Sequence, residues 1–268
     1  MKQTILITGA SSGFGLLAAN RLYQSGYNVI GTSRNPEKYQ SQVPFKMLAL
    51  DITDDSSIQS FGKQLFSEIG KLDVLINNAG FYLSGLAEET TIEQGKQQFE
   101  TNFWGTVKLT NELLPYFRKQ RSGKIITLGS IMGLISLPGG AYYAATKHAL
   151  EGYFQALRFE LNEFNIKVSM VEPVGFKTNI VSNSMVAENK IADYDSYRKT
   201  LEDYTKDLFT KSEEPTAVIQ TLLKLVESKN PTFNHPVGKG SALFPAIQYF
   251  SFKTFESAIT KNISKFKR

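Results

Sequence analysis

Cysteine is missing from the chain, so neither a disulfide nor a thiolate-bound metal is available to it. That absence fits a reducing compartment, and a cytoplasmic location is the expectation. Histidine is nearly as scarce. His148 and His235 are too few for a histidine-built metal centre, and no metal is expected. No run of 18 apolar residues occurs, so no membrane-spanning helix is expected. The opening "MKQTILITGA" lacks the longer apolar stretch and small-residue cleavage site of a secretory leader. A strong charge of one sign is lacking too. The formal net charge is +5, and part of it sits in the final "KNISKFKR", so nucleic acid is not an expected partner. An anionic small molecule needs only one or two of these cations.

What is present is a core-forming chain of 268 residues, 41% of them hydrophobic, enough for one domain spanning 1–268. Six short apolar runs read as strands: "TILIT" (4–8), "NVIGTS" (28–33), "FKMLAL" (45–50), "DVLIN" (73–77), "KIITLG" (124–129) and "KVSMVEP" (167–173). Most are continuously apolar, as strands covered on both faces are. Helical stretches lie between them near 13–25, 55–69, 91–120 and 142–164. This alternation predicts an α/β, three-layer Rossmann fold, with a doubly wound, mostly parallel sheet of about seven strands. A further helix is expected near 213–228, and "FNHPVG" (233–238) reads as a last strand at the edge, where Pro236 is tolerated. The long polar excursion of 178–215 follows the sixth strand at its carboxyl end. It reads equally as a lid or as a surface helix pair.

The stretch "ITGASSGFG" places Gly9, Gly13 and Gly15 between the first strand and the first helix. Backbone N–H groups at a helix start are unpaired and attract an anion. Gly9 can make the sharp turn, while Gly13 and Gly15 remove side chains where a pyrophosphate and the strand come close. A tight turn without a ligand is the alternative reading.

The spacing TGxxxGxG at Thr8–Gly15, including Ser11, Ser12 and Phe14, resembles the cofactor turn of the short-chain dehydrogenase/reductase family, in its compact branch. Further motifs follow in that family's order: "ALDIT" (49–53), "NNAG" (77–80), "TNFWG" (101–105), "LGSIMG" (128–133) and "YYAATKHA" (142–149). The resemblance covers about residues 1–178 and continues more weakly to about 240. It implies that Asp51 and Ile52 lie at the adenine, that Asn78, Ala79 and Gly80 lie beside the adenosine, and that Asn102, Ser130, Tyr143 and Lys147 form the catalytic set. It also implies that Lys147 binds the nicotinamide ribose and that Asn102 holds a water linking Lys147 to solvent. On this reading 1–130 is mainly cofactor-binding, 131–240 is catalytic and substrate-binding, and 241–268 is a tail.

The chemistry of these residues fits those roles. Tyr143 and Lys147 are four apart and share one face of a helix. A nearby ammonium is expected to favour the phenolate of Tyr143, so that it exchanges a proton with a carbonyl or alcohol oxygen. Ser130 can hold the same oxygen. Tyr142 and His148 read as packing or surface residues. At the end of the second strand, where an NAD-binding fold carries an acidic residue, the chain has Ser33 and Arg34. A small donor beside a guanidinium suits a 2′-phosphate, so NADP(H) is expected to be preferred, with NAD(H) as a lesser option.

After the sixth strand the family usually reads Pro-Gly with a Thr a few residues on. This chain has "EPVGFKTN" (172–179). Pro173 and Thr178 match and are expected at the nicotinamide carboxamide. Val174 replaces the usual glycine, and Gly175 is the candidate for its flexible role. Segments 81–86, 131–140 and 178–212 are expected to build an apolar substrate pocket for a small-molecule carbonyl or alcohol. The leading function is therefore an NADP(H)-dependent oxidoreductase. The alternatives are a non-catalytic NADP-binding sensor or scaffold and, less favoured by the glycine spacing, an epimerase or dehydratase. A homodimer or homotetramer through helices 91–120 and 142–164 is expected. The aromatic tail 242–268 is expected to pack over the pocket or on a partner subunit, ahead of peripheral contact with an anionic membrane.

Overall fold

The computed structural model describes residues 2–177 and 184–267. Along the chain run β1 (Thr4–Ile7), α1 (Gly13–Gln24), β2 (Asn28–Ser33), α2 (Glu37–Gln40), β3 (Lys46–Ala49), α3 (Asp55–Glu68), β4 (Val74–Asn77) and β5 (Leu83–Ser84). Next come α4 (Ile92–Phe99), α5 (Thr106–Gln120), β6 (Gly123–Leu128), α6 (Ala141–Leu161), β7 (Ile166–Pro173) and β8 (Met185–Val186). The last elements are α7 (Asp195–Thr210), α8 (Thr216–Glu227), β9 (Asn234–Val237), α9 (Leu243–Phe250) and α10 (Phe252–Ser264).

Seven strands form one parallel sheet in the order β3-β2-β1-β4-β6-β7-β9. All four residues of β1 and of β4 are buried, because helices cover both faces. On one face α1 and α8 bring Ala18, Ala19, Leu22, Val218 and Leu222 against Ile5, Ile7 and Ile76. On the other, α3, α5 and α6 bring Phe61, Leu113, Phe117 and Phe154 against Leu6, Leu75 and Ile125. Phe154 is fully buried there, and truncating such a side chain to alanine costs about 3–5 kcal/mol. Local signals set the helix starts: Asp54 accepts from the Ser56 amide to cap α3, and Thr91 and Gln94 form a capping box on α4.

The sheet order turns at β1 and β4, which pair with each other while β1 also pairs with β2. A crevice opens at the carboxyl ends of strands flanking such a point. The predicted edge strand is β9, parallel to β7, with Pro236 opposite Glu172. Two features depart from the expected pattern. The helix expected over 91–120 is interrupted by one π-helical turn, Glu100–Gly105, a local irregularity often found at functional sites. The tail is a pair of packed helices, α9 and α10, laid beside the crevice.

Candidate active site

The glycine turn is held rigidly from beneath. The Thr8 hydroxyl accepts from the Asn78 and Ala79 amides at 2.9 and 3.0 Å. The Asn78 side chain donates back to the carbonyls of Thr8 and Gly9 at 2.9 and 3.1 Å. Thr8 is therefore a brace under the turn rather than part of its surface. Gly15 also faces inward: a Cβ there would stand 2.4 Å from both the Gly9 carbonyl oxygen and the Asn78 amide nitrogen. Gly9 (φ 65°) and Gly13 (φ 54°) adopt the left-handed backbone that favours glycine. Space lies open around Gly13.

Ser11, Ser12, Gly13 and Phe14 line the inner end of a cleft of about 1370 Å³. Ser12 caps α1, but its hydroxyl bonds none of the helix amides, so they remain directed at the cleft. Ser33 and exposed Arg34 stand at the end of β2 in the same wall, and the Ser33 Oγ is buried without a hydrogen bond among the described residues. Asp51, Ile52, Ala79 and Gly80 complete this half. Asp51 accepts from the Thr53 amide and hydroxyl through one oxygen. A glycine cradle, free helix amides and an unpartnered hydroxyl beside a guanidinium fit a phosphorylated dinucleotide.

The other half of the cleft contains Ser130, Tyr143 and Lys147. β6 ends just before Ser130, whose hydroxyl accepts from the Met132 amide at 3.1 Å. α6 presents Tyr143 and Lys147 on its buried face. The Lys147 ammonium donates to the Leu128 carbonyl at 2.8 Å and lies 5.6 Å from the centre of the Tyr143 ring. Tyr82 meets that ring edge-on, with centroids 4.8 Å apart.

Burial dominates the protonation of this group. It pushes the Tyr143 phenol up to about 12, against the lowering effect of its hydrogen bond with Ser130. It brings Lys147 down to about 8, with the nearby Glu151 charge acting in the opposite sense. The expected acidification of Tyr143 by Lys147 is thus corrected. The ammonium is bonded to the Leu128 carbonyl of β6, and loss of water sets the phenol's direction instead.

Asn102 lies in the π-helical turn, buried. Its amide donates to the Phe81 carbonyl at 2.9 Å and its oxygen accepts from the Phe81 amide at 3.0 Å. It also reaches the Thr146 hydroxyl at 3.4 Å. None of its bonds among the described residues goes to Lys147. Asn102 holds the β4 exit loop against α6.

The exit of β7 differs from the expected arrangement. Pro173 and Gly175 line the cleft, but Gly175 does not adopt a left-handed φ. The Val174 amide donates to the Val237 carbonyl at 3.0 Å, so pairing with the edge strand continues through it. Room for its side chain comes from Gly238 (φ 103°), where a Cβ would stand 2.4 Å from Val174 Cγ2. Valine is accommodated by a glycine on the neighbouring turn, so no flexible role passes to Gly175. Thr178 lies outside the described residues. Tyr142 packs on Gly95 of α4, and His148 is exposed with its ring bonded to the Ala144 carbonyl, as expected of both.

Phe81, Tyr82, Ile131, Met132 and Leu137 form the predicted apolar wall. The excursion contributes α7, through Tyr204, Leu208 and Phe209. It is pinned at one end: β8 pairs with β5, and Arg198 clamps buried Glu89 and also bonds Asp195 and the Ile191 carbonyl. That clamp holds the Glu89 carboxyl below its ordinary range. The excursion is a cover over the cleft rather than a detached surface pair. Sequence reasoning did not single out Phe244, Ile247, Phe255, Ile259 and Phe266, which form the wall supplied by the tail. Their helical spacing was the available signal.

Comparison with known proteins is consistent with this geometry. The family model described as short chain dehydrogenase matches residues 3–189. The chain is 41% identical over 239 residues, covering 88% of both sequences, to a protein of Bacteroides thetaiotaomicron named 3-ketodihydrosphingosine reductase. A short-chain dehydrogenase structure from Streptomyces avermitilis superposes with a TM-score of 0.84 at 29% identity, covering 97% of each chain. The structure of ElxO with NADP bound gives 0.77 at 27% identity, covering 90% of this chain and 99% of that one.

Proposed function

We infer the activity from one premise: the chain belongs to the short-chain dehydrogenase/reductase family of oxidoreductases. The reaction proposed is NADP(H)-dependent interconversion of a carbonyl and an alcohol on a fairly apolar molecule. The observation that carries it is the placement of Ser130, Tyr143 and Lys147 in the same cleft as the glycine turn.

In this reading the amides at the start of α1 hold the pyrophosphate, and Ser33 with Arg34 holds the 2′-phosphate. Asp51 and Ile52 border the adenine. Lys147 binds the ribose hydroxyls of the nicotinamide half, and Pro173 and Thr178 border its carboxamide. Bound NADPH supplies the hydride. A phenol held near 12 stays protonated at neutral pH, so Tyr143 acts as the acid that gives its proton to the carbonyl oxygen. The Ser130 hydroxyl holds that same oxygen as negative charge develops on it. Lys147, brought down to about 8, is poised to return a proton to Tyr143. Asn102 positions the Phe81 loop and α6, which carries both groups.

The apolar walls from Met132, Leu208, Ile247 and Phe255 support a ketone on a hydrocarbon chain as the substrate. The name of the Bacteroides relative supports the same substrate class. A homodimer or homotetramer through the helices of 91–120 and 142–164 belongs to this reading, and the 76% exposure of Phe159 on α6 supports it.

The test is NADPH consumption with a panel of ketones of increasing chain length. Turnover should rise with chain length. Tyr143→Phe should lower it by roughly 10²–10⁴-fold, the usual worth of a positioned acid, with NADPH binding retained. Undiminished activity in that variant would remove Tyr143 from the chemistry. NADPH binding without turnover on any substrate would favour a sensor.

A further inference from the structure

The tail helices have two unlike faces. Toward the cleft, α9 and α10 present Ile247, Phe255 and Ile259, and the Gln248 amide donates to the Leu134 carbonyl at 3.2 Å. Away from it, Tyr249 is 85% exposed, Phe250 83%, Phe252 61% and Leu243 60%. Residues 240–252 hold no charged side chain and are bounded by Lys239 and Lys253. This is a large apolar patch, unlike the scattered exposed apolar residues of an ordinary surface.

The distribution of charge identifies what covers it. Residues 239–268 contain six of the thirty basic groups and one of the twenty-five acidic ones. The remainder of the chain is therefore neutral, and the whole surplus of five lies in the tail. A second copy meeting the patch about a two-fold axis would set this charge against itself. An anionic lipid surface satisfies both properties at once. Aromatic side chains settle at the headgroup level, and lysines along a short amphipathic helix meet the negative lipids.

We propose that the α9–α10 face docks on an anionic lipid bilayer, with Tyr249, Phe250 and Phe252 inserted at the headgroup boundary and Lys253 and Lys261 on the lipid charge. Phe244 and Phe255 of these same helices belong to the cleft wall, so docking brings the substrate opening to the lipid surface. The docking does not depend on the catalytic assignment.

The experiment is co-sedimentation of the full chain with vesicles of phosphatidylcholine alone and of phosphatidylcholine mixed with phosphatidylglycerol. Binding is expected to the mixed vesicles only, and to fall when salt shortens the screening length from ~10 Å to ~3 Å. The pair Tyr249→Ser and Phe250→Ser should abolish it. Lys253→Gln and Lys261→Gln should each weaken it roughly fivefold. All four positions lie outside the cleft lining, so melting midpoints followed by circular dichroism should match the parent and show that the variants are folded. No sedimentation with the mixed vesicles overturns the proposal, as does binding that the folded variants retain. A dimer in gel filtration that Tyr249→Ser and Phe250→Ser disperse would assign the face to a second copy and overturn it equally.

Discussion

Glu151 lies one helical turn beyond Lys147 on α6. One of its oxygens is buried without a hydrogen bond among the described residues; the other accepts from the Asn234 amide at 3.1 Å. The same amide donates to Glu172 at 2.7 Å, and the His235 backbone amide donates to the second Glu172 oxygen at 2.8 Å. Burial first, and the Glu172 charge second, raise Glu151 from 4.5 to about 8. Between those values the folded protein holds a proton that the unfolded chain has released, so stability falls as pH rises through the window and levels off above 8. The full rise is worth at most ~5 kcal/mol, and less where Glu172 shares the proton. Lys147 acts in the opposite direction, but only above pH 8, where the unfolded chain still holds the lysine proton that the fold has lost. Glu151→Gln keeps the shape and removes the titration. Urea unfolding of parent and variant, in steps from pH 5 to 8, should show the variant gaining a few kcal/mol relative to the parent toward the alkaline end. Parallel curves across that window would refute the reasoning.

Three further outcomes follow from the cleft. Gly15→Ala puts a methyl 2.4 Å from the Gly9 carbonyl, so it should cost about 1–3 kcal/mol in unfolding experiments and weaken NADPH binding in fluorescence titrations. Arg34→Asp replaces the proposed charge-assisted partner of the 2′-phosphate with a repelling one, and should shift the ratio of KM for NADPH to KM for NADH by roughly 10–100-fold toward NADH. Arg198→Ala releases the clamp on Glu89. It should raise KM for a long-chain ketone with kcat nearly unchanged, and speed proteolytic cleavage within 184–212.

Much of the layout was legible because it rests on local chemistry. The strands of the main sheet fall within a residue or so of their apolar runs, since burial on both faces leaves no polar alternation to confuse them. The glycine turn was readable from its spacing, and Ser130, Tyr143 and Lys147 from the family resemblance that their motifs carry. The rest depended on contacts distant in sequence. The π-helical turn at Asn102 carries no compositional mark. Val174 looked anomalous because its compensating partner, Gly238, lies 64 positions later. The protonation of Tyr143 could not be read from its i, i+4 neighbour, because desolvation is set by Tyr82 and the rest of the pocket. The aromatic, helix-like tail was expected over the pocket or on a partner subunit, but its rhythm did not say which of its residues would form the wall.

The pairing of β5 with β8 joins the cover to Tyr143. The Met185 amide donates to the Tyr82 carbonyl at 3.0 Å, and the Tyr82 ring meets Tyr143. Lifting the cover would draw Tyr82 away and let water reach the phenol, and the desolvation that raises its proton affinity would fade. Proton affinity at the Tyr143 hydroxyl is thereby geared to closure: it is highest while the roof is down and falls toward that of an ordinary phenol when it lifts.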